Sequence, residues 1–157
     1  MRQKSPYRHY GRIFLFSGIT LGVFIAAFAA AGYHAAGSAR FCLSCHSMAH
    51  VGQAWQKSHH KQFACIECHL PDDNIVSQVA YKARAGLNDL FHETVRSYPA
   101  SINISTEGRM IAQGNCVRCH YSTIENTPMA NLGGDCLHCH RFLVHGRGMD
   151  KGGIKVE

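Results

Sequence analysis

The sequence predicts a mostly α chain of low regular secondary structure, with one N-terminal transmembrane helix ahead of an exported domain. Three observations carry this. Ile13 to Gly32 is an uncharged run, IFLFSGITLGVFIAAFAAAG. All eight cysteines fall in four copies of one pattern, Cys-x-x-Cys-His. From Gly37 onward Leu, Ile, Val and Phe supply only 25 of 121 residues. That fraction is near the level at which apolar side chains alone fail to fold a domain, so disulfides, metals or large cofactors must supply core.

The uncharged run comes first in order. At 1.5 Å per residue, twenty residues reach about 30 Å, the hydrocarbon thickness of a bilayer. Arg2, Lys4, Arg8 and Arg12 precede it with no acidic residue among them. Positive charge on that side keeps the N-terminus cytoplasmic and sends the rest across. Ala29-Ala30-Ala31 offers a cleavage-like site, but the run exceeds a signal peptide's usual apolar core, which favours a retained anchor. The expected division is 1–12 cytoplasmic, 13–36 transmembrane and 37–157 periplasmic, in the inner membrane of a bacterium. Gly18 and Gly22 have the small-xxx-small spacing that lets two anchors pair. The formal charge of +6 is mostly an N-terminal effect, because the exported part has 12 basic and 10 acidic residues. No basic face for nucleic acid is indicated.

The motifs are Cys42-Leu-Ser-Cys45-His46, Cys65-Ile-Glu-Cys68-His69, Cys116-Val-Arg-Cys119-His120 and Cys136-Leu-His-Cys139-His140. Two cysteines a helical turn apart can each form a thioether with a haem vinyl group, and the following histidine supplies an axial nitrogen. Zinc sites have no reason to place His after every second Cys. Disulfides would leave four identical spacings unexplained. Four covalently bound haems c are therefore expected, about one per 30 residues of the exported domain, and they answer the shortage of core. First cysteines are 23 residues apart in the first pair of motifs and 20 in the second, with 51 between the pairs. This predicts a multihaem cytochrome c domain of two di-haem modules around an insert, with a short helical turn at each motif.

The insert predicts one long helix, capped by Asp72, Asp73 or Asn74 and running to about Tyr98 before Pro99. Ile75, Val76, Val79, Ala83, Leu87, Leu90, Phe91 and Val95 form its apolar stripe. Lys82 and Asp89 lie two turns apart on a common face, and Gly86 leaves a small spot between them. The Gly- and Lys-rich tail after Gly146 reads as extended or as a partner-contacting arm.

Four six-coordinate haems need eight axial ligands, and the motif histidines His46, His69, His120 and His140 give four. The spare histidines are His50, His59, His60, His92, His138 and His145. His60, between motifs one and two, is the leading distal ligand and is free to cross to another haem. His145 follows His140 too closely to reach the far face of that haem, so it serves a different one. In motif one, Met48 either replaces His46 as the ligand or packs beside it.

The anchor, Cys42-x-x-Cys45-His46-x-Met48, the Trp55…Ser58-x-His60 segment, four Cys-x-x-Cys-His motifs and the late His145 together resemble the NapC/NirT-type membrane-anchored tetrahaem quinol dehydrogenases. The resemblance covers nearly the whole chain, and its short length is most similar to the small subunits that accompany cytochrome c nitrite reductase. It implies oxidation of menaquinol at the membrane face. It also implies electron transfer to a periplasmic multihaem nitrite reductase catalytic subunit. It implies Met48 as the ligand of the first haem and Lys82 near the quinol, with Asp89 on the same helical face as the proton-accepting or haem-facing group. With His60 and His145 serving two haems, the last distal ligand comes from a local histidine or from the partner.

Two rival functions have distinct signatures. A terminal oxyanion reductase of this chemistry typically carries a Cys-x-x-Cys-Lys site, which is absent. A tethered electron carrier or haem-based sensor would lack a quinol site and would not be reduced by a menaquinol analogue.

Overall fold

The computed structural model describes residues 7–97, 102–131 and 134–146. The chain divides between Gly37 and Ser38 into two units. The first is helix α1, Tyr7–Ala35. Its stretch His9–Ala35, with a mean hydropathy of 2.3, is long and apolar enough to cross a membrane. The helix starts ahead of the uncharged run, taking in Arg8 and Arg12. The Ser17 hydroxyl donates to the Phe14 carbonyl at 3.1 Å, which satisfies the one hydroxyl near the middle of the run's first half within its own turn.

The second unit is helical, with no strand among the described residues. In order it contains α2 Ala39–Cys42, a 3₁₀ turn His46–Met48, α3 Ala49–Gln56, α4 Cys65–His69, α5 Ile75–Val95, α6 Thr106–Ile124, a 3₁₀ turn Pro128–Asn131 and α7 Cys136–Cys139. Side-chain caps start α2, α5, α6 and α7. Ser38 accepts from the Phe41 amide, Asn74 from Ser77, Ser105 from Gly108 and Asp135 from His138. Of the three expected caps of α5, Asn74 is the one used. The helix ends at Val95, short of Tyr98, because Arg96 turns into the left-handed region at φ 52°.

Two features differ from the sequence expectation. The third motif is not a short turn but lies inside α6, a helix of 19 residues. The buried positions of α6 are Gly108, Ala112 and Asn115, a seam of small and polar residues that leaves no apolar stripe to read. In α5 the apolar stripe faces outward. Ile75, Val76, Val79, Leu87, Leu90, Phe91 and Val95 are exposed, while Ser77, Gln78, Tyr81, Lys82, His92 and Glu93 are half-buried. The polar face of α5 is therefore the one turned towards the protein.

Among the described residues the only buried apolar side chain is Ala112, and the buried polar ones are Ser47 and Asn115. Polar ties do much of the joining. Asn115 on α6 donates to the Cys68 and Leu70 carbonyls at 3.0 and 2.8 Å, holding the end of α4. Arg118 bonds the Glu67 carbonyl at 2.9 Å and pairs with Asp72 at 2.6 Å. Arg84 on α5 pairs with Glu107 on α6, but both are more than half exposed, so the pair adds little. The tail after Gly146 lies outside the described residues.

Candidate haem and quinol site

Motif two occupies α4, so Cys65, Cys68 and His69 share one helical turn. Motif three has the same continuity within α6. Motif four is α7, and the His140 amide donates to the Cys136 carbonyl at 2.8 Å, extending the turn to the histidine. Gln113 fixes this motif to α6. Its amide oxygen accepts from Cys136 N at 2.9 Å and its nitrogen donates to the Gly134 carbonyl at 2.5 Å. Arg109 pairs with Asp135, the cap of α7, at 2.5 Å.

Motif one is built differently. Cys42 ends α2, Cys45 is extended at φ −77° and ψ 134°, and the chain then enters the His46–Met48 turn. Glu93, from the last turn of α5, receives this turn. One carboxylate oxygen accepts from the His46 and Ser47 amides at 3.1 and 3.5 Å, and the other accepts from the Ser47 hydroxyl at 2.6 Å. The Ser47 hydroxyl is the main reason that the Glu93 carboxyl lies below its usual range. Gly52 of α3 packs against Leu43 inside the motif so closely that a β-carbon there would stand 2.3 Å from Leu43 Cδ2.

Two pairs of histidines face each other. The rings of His60 and His120 have centres 6.2 Å apart, and those of His69 and His145 6.0 Å apart. His60 is held from both sides: its amide donates to the Ser58 hydroxyl at 3.2 Å, and the Trp55 indole donates to its carbonyl at 3.2 Å. His145 faces motif two rather than its neighbour His140. An imidazole nitrogen bonds a metal at about 2.0–2.1 Å, so two imidazoles on opposite sides of one iron have centres roughly 6 Å apart. All eight motif cysteines are free thiols, the form that thioether attachment requires. The residues fit covalent haem c.

The other spare histidines are placed elsewhere. His92 bonds the Ser97 carbonyl at the end of α5. The His138 amide takes the cap of α7. His50 lies in α3 and His59 is exposed.

Glu93 brings α5, the helix that carries Lys82 and Asp89, to motif one. Desolvation raises the Asp89 carboxyl and lowers the Lys82 ammonium. The sequence reading did not find Glu93, Asn115 or Gln113. Only Glu93 had a signal there, standing four residues after Asp89 on the same face.

Residues 5–149 match the NapC/NirT cytochrome c family, N-terminal region, and the chain belongs to that family. It is a c-type cytochrome that carries haem c covalently. The chain is 33% identical to the cytochrome c-type protein NrfH of Wolinella succinogenes, over 92% of this chain and 89% of the relative. It is 33% identical to the cytochrome c nitrite reductase subunit NrfH of Nitratidesulfovibrio vulgaris, over 83% and 81%. Among solved structures it is similar to a chain of the cytochrome c nitrite reductase NrfHA complex bound to the inhibitor HQNO. The TM-score is 0.76 at 31% identity, covering 86% of this chain and 92% of that one.

Proposed function

We propose, from membership of this family, that the chain is a membrane-anchored menaquinol dehydrogenase feeding a periplasmic, ammonia-forming cytochrome c nitrite reductase. Its anchor is residues 13–36, with 1–12 in the cytoplasm and 37–157 in the periplasm. The observation that carries the reading is the seating of α5, the helix that bears Lys82 and Asp89, on motif one through Glu93. Support for the partner is the kinship with NrfH and with the NrfHA complex.

Four haems are held by Cys42 and Cys45, Cys65 and Cys68, Cys116 and Cys119, and Cys136 and Cys139, grouped as two di-haem modules. His69 and His145 serve the second haem, and His120 and His60 the third. Met48 serves the first, and His140 the fourth. Bound there, the haems supply a chain of one-electron redox centres. Menaquinol gives up two electrons and two protons as it becomes quinone. Lys82 donates a hydrogen bond to a quinol oxygen and favours its deprotonation. Asp89, ionised, accepts a proton from it. Lys82 is half-buried and Asp89 stands two turns on along α5, where desolvation raises its carboxyl and makes it a better proton acceptor.

The test uses protein purified from membranes with its bound partner. A menaquinol analogue is added and the haem bands are followed, with and without nitrite. Fast reduction followed by nitrite-dependent reoxidation is expected. Reduction without reoxidation keeps the quinol site but assigns another terminal reductase. No reduction by quinol, with dithionite still reducing the haems, leaves a tethered electron carrier.

A further inference from the structure

Motif one departs from the other three in its hydrogen bonding as well as in its sequence. In a Cys-x-x-Cys-His turn that is helical throughout, the histidine amide bonds the carbonyl of the first cysteine, as His140 bonds Cys136. In motif one that bond is missing. The helix stops at Cys42, Cys45 is extended, and the His46 amide goes to Glu93 instead. Glu93 also takes the Ser47 amide and hydroxyl. Three donors thus converge on one carboxylate supplied from 46–47 residues away, and Ser47 is only 6% exposed. Bonds to an ionised acceptor are roughly twice as strong as neutral ones. Without the carboxylate the buried Ser47 donors would be left unpaired, and the exposed His46 amide would be released to bond Cys42 by continuing the helix.

We propose that Glu93 is the positioning residue that selects the iron ligand of motif one. By holding His46 and Ser47 in the 3₁₀ turn, it withdraws His46 from the place a motif histidine occupies and presents Met48 in its stead. The inference rests on the reading of motif one as a haem site ligated by Met48. Glu93 is therefore a second-sphere determinant of potential, because a thioether ligand raises haem potential relative to histidine.

The test uses the full-length, haem-loaded protein and four variants: Met48→Leu, Glu93→Ala, Glu93→Gln and Ser47→Ala. The readouts are the thioether-to-iron charge-transfer signature and a potentiometric titration of the haems. Met48→Leu defines the signature by removing it. Glu93→Ala is expected to lose the same signature, with one haem shifting to lower potential. Glu93→Gln keeps an acceptor oxygen for the amides and is expected to retain the signature. Glu93→Ala with full haem content, an unchanged signature and unchanged potentials overturns the inference while leaving Met48 as ligand. If Met48→Leu itself changes nothing, the premise fails and the inference with it. Should Glu93→Ala not accumulate, Ser47→Ala removes one hydroxyl only: partial loss of the signature supports the proposal, and a fully retained signature overturns it.

Discussion

Lys82 and Asp89 stand seven residues apart on α5, the helix whose Glu93 receives motif one, and each is expected to fail alone and in a distinguishable way. A positioned acid or base contributes about 10²–10⁴-fold. Asp89→Asn and Lys82→Ala should each slow reduction by a menaquinol analogue by at least about 10²-fold in stopped-flow absorption, with dithionite reduction intact. The pH dependence follows from the direction of the Asp89 shift. Its carboxyl is raised by desolvation, and only the ionised form accepts a proton. Activity should therefore fall, as pH drops, at a value above the ordinary aspartate range near about 4. Asp89→Asn should remove that acid limb, and a limb that persists in the variant assigns it to another group. His60→Ala and His145→Ala should each convert one haem from low to high spin, and by magnetic circular dichroism the two losses should add. At this scale the sequence was highly legible where chemistry fixes spacing, as in the eight cysteines and their histidines. Which histidine faces which was not legible, since His60 meets His120 and His145 meets His69 across distant stretches of chain. Glu93 went unseen because a lone carboxylate on a helix reads as a solvated residue until the turn it receives is in place.

Asn115 acts between elements. Its amide bonds two carbonyls at the end of α4 from a 5%-exposed position on α6. Asn115→Ala leaves those carbonyls without a donor and should cost about 1–3 kcal/mol, read as a lower midpoint of thermal unfolding followed by the haem bands. An unaltered midpoint would mean that water replaces the amide at no loss. The same helix explains a limit of pattern reading. The buried positions of α6, at Gly108, Ala112 and Asn115, keep a helical spacing but are too small or polar to register as a stripe. α5 illustrates the converse. Its stripe located the helix correctly, but the stripe is the outward side, and the half-buried residues Tyr81, Lys82, His92 and Glu93 lie on the other. Apolar periodicity identifies a helix; it marks the packed face only when protein side chains are what the helix packs against.

Taken whole, the unit from Ser38 onward has almost no core of its own, since Ala112 is the one buried apolar side chain among the described residues. Large flat cofactors bury apolar surface that the side chains cannot. Replacing both cysteines of any one motif by serine is expected to lower the amount of full-length protein in membranes sharply, measured by immunoblot against wild type. Undiminished accumulation would show that the polypeptide folds without that attachment. The fold class was legible at this scale because an apolar run and four repeated motifs are one-dimensional signals. The facing histidines have a further consequence. His60 waits for a partner 60 positions later, and His69 for one 76 positions later, by their numbering. His60 can meet its partner once residue 120 is in place, but His69 stays open until the last stretch arrives, and His145 acts as the final latch. Maturation is then a matter of timing: closure comes in steps as each distant histidine arrives, and the step at motif two is the last. Premature termination anywhere before residue 145 should leave the early half unfinished, however completely it was synthesised.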